Sequence, residues 1–195
     1  MTNQSLEIIL ATGSPRRIAF FEQMGLSFTQ RVIPVEEVFP EDLKRESIAE
    51  YLVKLKASPF EKIIRENQLV ITADTIVWHK NQCLGKPKNR KDAERMLSNL
   101  SNSIHQVITA VGFLQKNKWE CIHCVSEVSF TAINPEAIAD YVATGSPMDK
   151  AGAYGIQDAF GMRYINHIKG SYTNIIGLPV AQVFKKIEEI MKNGK

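Results

Sequence analysis

The sequence predicts an α/β protein, a mixed β-sheet flanked by helices, on three observations. Strand-length apolar runs alternate with helical patterns early in the chain: LEIIL, then RRIAFFEQMG, then LSFTQRVIPV. Two longer extended runs, HQVITAVGFLQ and WECIHCVSEVSF, are joined only by KNK, as an antiparallel hairpin requires. No Pro/Gly/Ser-rich linker divides the chain, so residues 1–195 are expected to form one domain.

Taken in order, LEIIL reads as the first strand, and the turn Thr12-Gly13-Ser14-Pro15 leads into a helix. Ser14 can accept from a backbone N–H of the first turn, and Pro15 fits the next position because its missing N–H is no loss there. Ile18, Phe21 and Met24 recur at helical spacing, and Gly25 can close the helix. LSFTQRVIPV reads as a second strand and EEVFPEDLKR as a polar connection. A helix is then expected from Ser47, with Glu50 as its capping-box partner, and Pro59 should restart it. QLVITADTIVWHK is an apolar strand carrying one acid, and RKDAERMLSNLS is a short helix. After the hairpin, Asn134 and Pro135 open a helix that Gly145 ends. The glycine-rich stretch AGAYGIQDAFGMRYINHIKG and the connection GSYTNIIGLP follow. A final helix runs from Leu178 to about Met191, with Val180, Val183, Phe184, Ile187 and Ile190 as its core stripe. ATGSP occurs at both 11–15 and 143–147, but the first copy begins a helix and the second ends one, so the two are not a repeat.

Hydrophobic residues at 44% and charged residues at 23% are ordinary for a globular chain. The net charge of +3 is interspersed, which does not call for a nucleic-acid partner. No apolar stretch approaches a membrane span, there is no signal-type start, and the cysteine number is odd; a cytoplasmic location is expected. CIHC invites a zinc reading with His79 and Cys83, but side chains three apart on a strand point to opposite faces, and strand packing is the better account.

Asp74 interrupts an otherwise apolar strand, where an unpartnered carboxylate is costly; a metal ion or a set of hydrogen bonds would satisfy it. Glu36 and Glu37 follow the preceding strand and offer a second carboxylate, as a hard cation such as Mg²⁺ requires near phosphates. Arg16 and Arg17 stand at a helix start, where backbone N–H groups and guanidiniums suit a phosphate. Lys56, Lys86 and Lys150 complete a distributed basic set; Lys86 lies between Gly85 and Pro87, and Lys150 leads a run with Gly152 and Gly155. Neither a P-loop nor a dinucleotide fingerprint is present.

LATGSPRR, EE at 36–37, KLKA, ITADTIV, GKP, DKAGAYGIQ and GSYTNIIGLP, in this order from about residue 7 to 190, resemble the Maf family of septum-formation-inhibitor-like nucleoside triphosphate pyrophosphatases. The resemblance implies an elongated two-lobed fold around a cleft, related to the inosine triphosphate pyrophosphatases, and a homodimer. It also implies cleavage of the α–β phosphoanhydride of dTTP and UTP to the monophosphate and pyrophosphate, a house-cleaning reaction dependent on Mg²⁺ or Mn²⁺. Asp74 and Glu37 match the catalytic and metal-handling acids; Thr12, Ser14, Arg17, Lys56, Lys86 and Lys150 fall around the phosphates; Arg16, Thr75 and Gln157 match the group that reads a pyrimidine base. Thr12 stands where serine is commoner in the family, and Asp158 where glycine is. The alternatives within the class are pyrophosphatases for 7-methyl-GTP or for inosine or xanthosine triphosphate. The alternative outside it is a non-catalytic cell-division regulator, and neither a stable nucleic-acid complex nor a membrane association is implied.

Overall fold

A computed structural model describes residues 6–193. The strands are β1 (Glu7–Leu10), β2 (Phe28–Gln30), β3 (Gln68–His79), β4 (Gln82–Leu84), β5 (Ile104–Gln115), β6 (Lys118–Phe130) and β7 (Ile165–Lys169). The helices are α1 (Pro15–Gln23), α2 (Glu46–Ala57), α3 (Arg90–Leu100), α4 (Pro135–Ala143), α5 (Ala159–Tyr164), α6 (Tyr172–Ile176) and α7 (Val180–Asn193). The hydrogen-bonded strand order is β2-β1-β3-β5-β6-β7, with β4 beside β3. β1 pairs parallel with β2 and β3, whereas β3–β4 and β6–β7 are antiparallel, so the sheet is mixed as expected.

Two compact units organise these elements. Among the described residues, one unit takes the chain up to Asp74, Thr109–Cys124 and the chain from Gly177. The helix α7 contributes Val183, Ile187 and Ile190 to its core with Ile8, Leu10, Phe21, Leu69 and Ile71. Phe184, read as part of that stripe, is 37% exposed, because one residue after Val183 it stands at the edge of the buried face. The other unit takes Thr75–Ile108 and Val125–Ile176, and its core joins α3 (Met96, Leu97, Leu100) to α4 (Ile138, Tyr141, Val142) and to Phe130, Tyr154, Phe160 and Tyr164.

Several local expectations need correction. The second strand is three residues long, since Val32 is exposed and Pro34 interrupts the run. Ser14 occupies the N-cap position of α1 but makes no side-chain cap; its own N–H donates to Thr12 Oγ1 at 3.2 Å. The expected capping box is absent. The helix α2 starts at Glu46 behind Arg45 at φ 53°, and Glu50 Oε1 lies 2.7 Å from His123 Nδ1, a tertiary pair taking the acid from the local motif. Asn134 does cap α4, accepting from Ala137 N at 2.7 Å. Pro147 sits within a 3₁₀ turn (Ser146–Asp149), and the glycine-rich stretch and the connection after it hold α5, β7 and α6. Such five- or six-residue elements carry too little pattern to announce themselves and are held by packing.

Candidate functional site

In the first unit the acid of the apolar strand meets its partner. Asp74 is 8% exposed on β3, and its Oδ1 accepts from Lys56 Nζ of α2. The same ammonium lies 3.2 Å from Glu37 Oε2, on the exposed connection after β2. Two carboxylates from separate segments thus converge on one cation. The lysine ammonium meets the electrostatic need of the Asp74 carboxylate, whose burial uncompensated would be costly.

Arg17, half-buried on α1, donates from Nε to Gly177 O and from Nη1 to Ala73 O, both at 2.9 Å. Burial pushes its guanidinium below the ordinary arginine value, Asp74 pulls it back up, and neighbouring Arg16 adds to the depression. The two carbonyls fix the guanidinium plane next to the residue that precedes Asp74. Thr12 is buried; its carbonyl accepts from Gln30 Nε2 at 2.9 Å, which ties the turn before α1 to β2. Thr12, Ser14, Arg16, Arg17, Glu37, Lys56 and Asp74 therefore all belong to this unit.

Thr75, Lys86, Lys150 and Gln157 belong to the second unit. Lys86 is exposed beyond β4 and lines a surface cavity of about 520 Å³ with Lys88, Asp92 and Arg95. Its neighbour Gly85 accepts at 3.0 Å from the N–H of Gly152, which links the Lys86 turn to the segment that Lys150 begins. Gly152 must be glycine: its φ is +71°, and a Cβ would come within 2.8 Å of Val77. Lys150 Nζ donates to Ser146 O and lies 2.8 Å from Asp149 Oδ1 and 3.7 Å from Asp158 Oδ2. Asp158 accepts from the Tyr141 hydroxyl, and from Ser146 Oγ at 3.0 Å. Burial, with the Asp158 charge adding to it, raises the Tyr141 phenol and keeps it a donor. The Asp158 carboxylate, adjacent in sequence to Gln157, is thus turned into an internal network, while Gln157 is exposed.

The family model described as "Maf-like protein" matches residues 7–190. The chain belongs to the Maf family. Among the relatives of this Maf chain, a protein named dTTP/UTP pyrophosphatase from Flavobacterium johnsoniae is 45% identical over 185 residues, 95% of either chain. One of the same name from Flavobacterium psychrophilum is 48% identical over 181 residues, 93% of either chain. The solved structure of the Staphylococcus aureus Ham1 protein is 18% identical to the Maf chain, covers 64% of it and 71% of its own, and aligns with a TM-score of 0.39.

Sequence reasoning missed the backbone acceptors of Arg17 and the Tyr141–Asp158–Ser146 network of this Maf chain. The GLP of GSYTNIIGLP marks Gly177 as a bounded turn, yet nothing in those letters signals that its carbonyl receives an arginine 160 residues away. Among the described residues no group of three or more His, Cys, Asp or Glu side chains gathers as a metal set, and no helix is long and apolar enough to cross a membrane.

Proposed function

We propose that this Maf chain hydrolyses the α–β phosphoanhydride of dTTP and UTP, releasing the nucleoside monophosphate and pyrophosphate. The observation that carries the reading is the meeting of Asp74 and Glu37 at the Lys56 ammonium. Support for the pyrimidine substrates comes from the relatives named dTTP/UTP pyrophosphatase, 45% and 48% identical over nearly the whole chain.

The donor set fits a hard divalent cation: two carboxylates already converge on one positive charge, and oxygen ligands are what Mg²⁺ and Mn²⁺ take. Asp74 and Glu37 would hold it, and when bound it supplies charge neutralisation at the phosphates and a more acidic water. The chain's own residues do the rest. Lys56, shared between the two acids, is a positive charge that phosphate oxygens can recruit. Arg17 adds a cation whose plane is fixed by two carbonyls, so little reorganisation accompanies charge development. Asp74, buried and held on a strand, accepts the proton of the water that attacks the α-phosphorus. The bridging oxygen then leaves with pyrophosphate. Thr12 and Ser14, with the start of α1, and Lys86 and Lys150 serve the phosphates; Arg16, Thr75 and Gln157 serve the base. With its carboxylate bound to Tyr141 and Ser146, Asp158 leaves the Gln157 amide to present donor and acceptor to a pyrimidine edge.

A kcat/KM panel of dTTP, UTP, CTP, 7-methyl-GTP and ITP tests this division of labour. Arg17→Ala should lower every pyrimidine value by a similar factor, about tenfold, since it serves the common triphosphate. Arg16→Ala and Gln157→Ala should instead change the ratios among bases by about tenfold. A uniform loss for Arg16→Ala and Gln157→Ala would remove their specificity role. A wild-type panel led by 7-methyl-GTP or ITP would overturn the pyrimidine assignment.

A further inference from the structure

Thr72 lies on β3 two residues before Asp74, so the two side chains share one face of the strand. It is fully buried, and its Oγ1 donates to Val53 O at 2.9 Å. Val53 stands three residues before Lys56 on α2, on the neighbouring helical turn. Two rungs therefore connect the same strand face to the same helix face: Thr72 hydroxyl to Val53 carbonyl, then Asp74 carboxylate to Lys56 ammonium. The first is short, buried and locally rigid. The second involves a long flexible side chain, whose reach depends on where the helix sits.

The other side of Thr72 is closed as well. A Cβ at Gly112 on β5 would come within 2.8 Å of Thr72 Oγ1 and 2.1 Å of the Trp119 ring. The absent side chain lets β5 and Trp119 pack directly behind the hydroxyl. Lys54 of α2 in turn sets its ammonium over the Trp119 ring, 4.6 Å from the centroid. A hydroxyl gripped in this way fixes the position of α2 along β3. Its hydrogen bond is not needed to satisfy the Val53 carbonyl, which stands four residues before Ala57, the last residue of α2, whose N–H is the helical partner for it.

We infer that Thr72 is a positioning residue: through Val53 it sets α2 so that Lys56 reaches Asp74 and Glu37. The catalytic consequence rests on the function proposed above; the placement of Lys56 does not. The test has two readouts. The first is the rate at which acetic anhydride labels Lys56 in the metal-free protein, relative to Lys169, whose side chain is 77% exposed. The second is kcat/KM for dTTP with Mg²⁺.

Thr72→Val keeps the shape and removes the donor. It should raise Lys56 labelling about threefold to tenfold, the range one net hydrogen bond corresponds to, and lower kcat/KM about tenfold. Thr72→Ser should return both to within about twofold of wild type, a rescue that a packing role for the methyl group would not produce. If Thr72→Val is too unstable to assay, Thr72→Ala against Thr72→Ser isolates the hydroxyl in the same way. Wild-type labelling of Lys56 in Thr72→Val, or a serine variant as impaired as the valine or alanine one, overturns the inference. Full activity of Asp74→Asn would sink the catalytic reading alone, because the labelling result still decides whether Thr72 places Lys56.

Discussion

Asp74→Asn should lower kcat for dTTP by about 100-fold or more, as expected when a group acting on the reacting water is lost. Asparagine keeps the size of the side chain and can still accept from Lys56, so the strand and its buried setting survive. What disappears is the negative charge and the ability to take a proton. Removing a carboxylate that is 8% exposed also removes a desolvated charge, so the melting temperature should move by only a few degrees either way. Lys56 retains Glu37 as an ion-pair partner at 3.2 Å, which limits the damage of an uncompensated ammonium. Circular-dichroism melts beside initial rates check both halves. Near-normal turnover by a folded Asp74→Asn would remove Asp74 from the chemistry.

The second large effect is on stability, and it is driven by acid. His105 is 2% exposed, with its Nε2 2.7 Å from the Tyr154 hydroxyl and its ring packed against Phe130 and Tyr154. Burial, and secondarily the neighbouring His79, lower its pKa from 6.5 to about 3. The unfolded chain binds a proton at this histidine below pH 6.5, whereas the folded chain refuses it until about pH 3. The stabilising contribution is therefore complete above pH 6.5 and is lost as pH falls through that window. The slope approaches about 1.4 kcal/mol per pH unit, so several kcal/mol disappear across the window, a large part of a typical domain's stability. The carboxylates with depressed values, Asp92, Glu46 and Glu120, lose their contribution at lower pH, and the other three histidines are common to wild type and a His105 variant, so comparing the two from pH 6 to 5 isolates His105. Urea unfolding at pH 7, 6 and 5 should show His105→Gln losing stability by about 1 kcal/mol per unit less than wild type. Parallel pH dependences for the two proteins would contradict the buried neutral imidazole.

The alternating order of strands and helices was legible because β1, β3 and β5 are continuous apolar runs buried almost throughout, whereas α7 carries a helical stripe that its burial respects. Asp74 was legible for the opposite reason: it breaks such a pattern. Its partner was not readable from spacing, since Lys56 lies on a different element and looks like any surface lysine until α2 packs on β3. Glu50 shows how a local motif yields to tertiary structure, for the letters of a capping box were present and His123, 73 residues away, took the carboxylate. Lys86 and Lys150 were marked by the glycines around them. The Gly152–Gly85 hydrogen bond that joins their segments depends on a left-handed backbone that sequence alone leaves open. The short helices α5 and α6 were hidden because five or six residues hold no full amphipathic period, and Phe160 and Tyr164 gain their meaning only against Tyr141 and Phe130.

The measurement that bears most directly on the central claim is the identity of the products formed from dTTP in Mg²⁺. Purified protein incubated with dTTP labelled at the α- and γ-phosphates, and resolved by anion exchange, should yield α-labelled thymidine monophosphate and γ-labelled pyrophosphate in equal amounts. Both should vanish with chelator and fall together in Asp74→Asn. Thymidine diphosphate with labelled orthophosphate would mean that the β–γ bond is cut, and would contradict the assignment of this site to α–β cleavage.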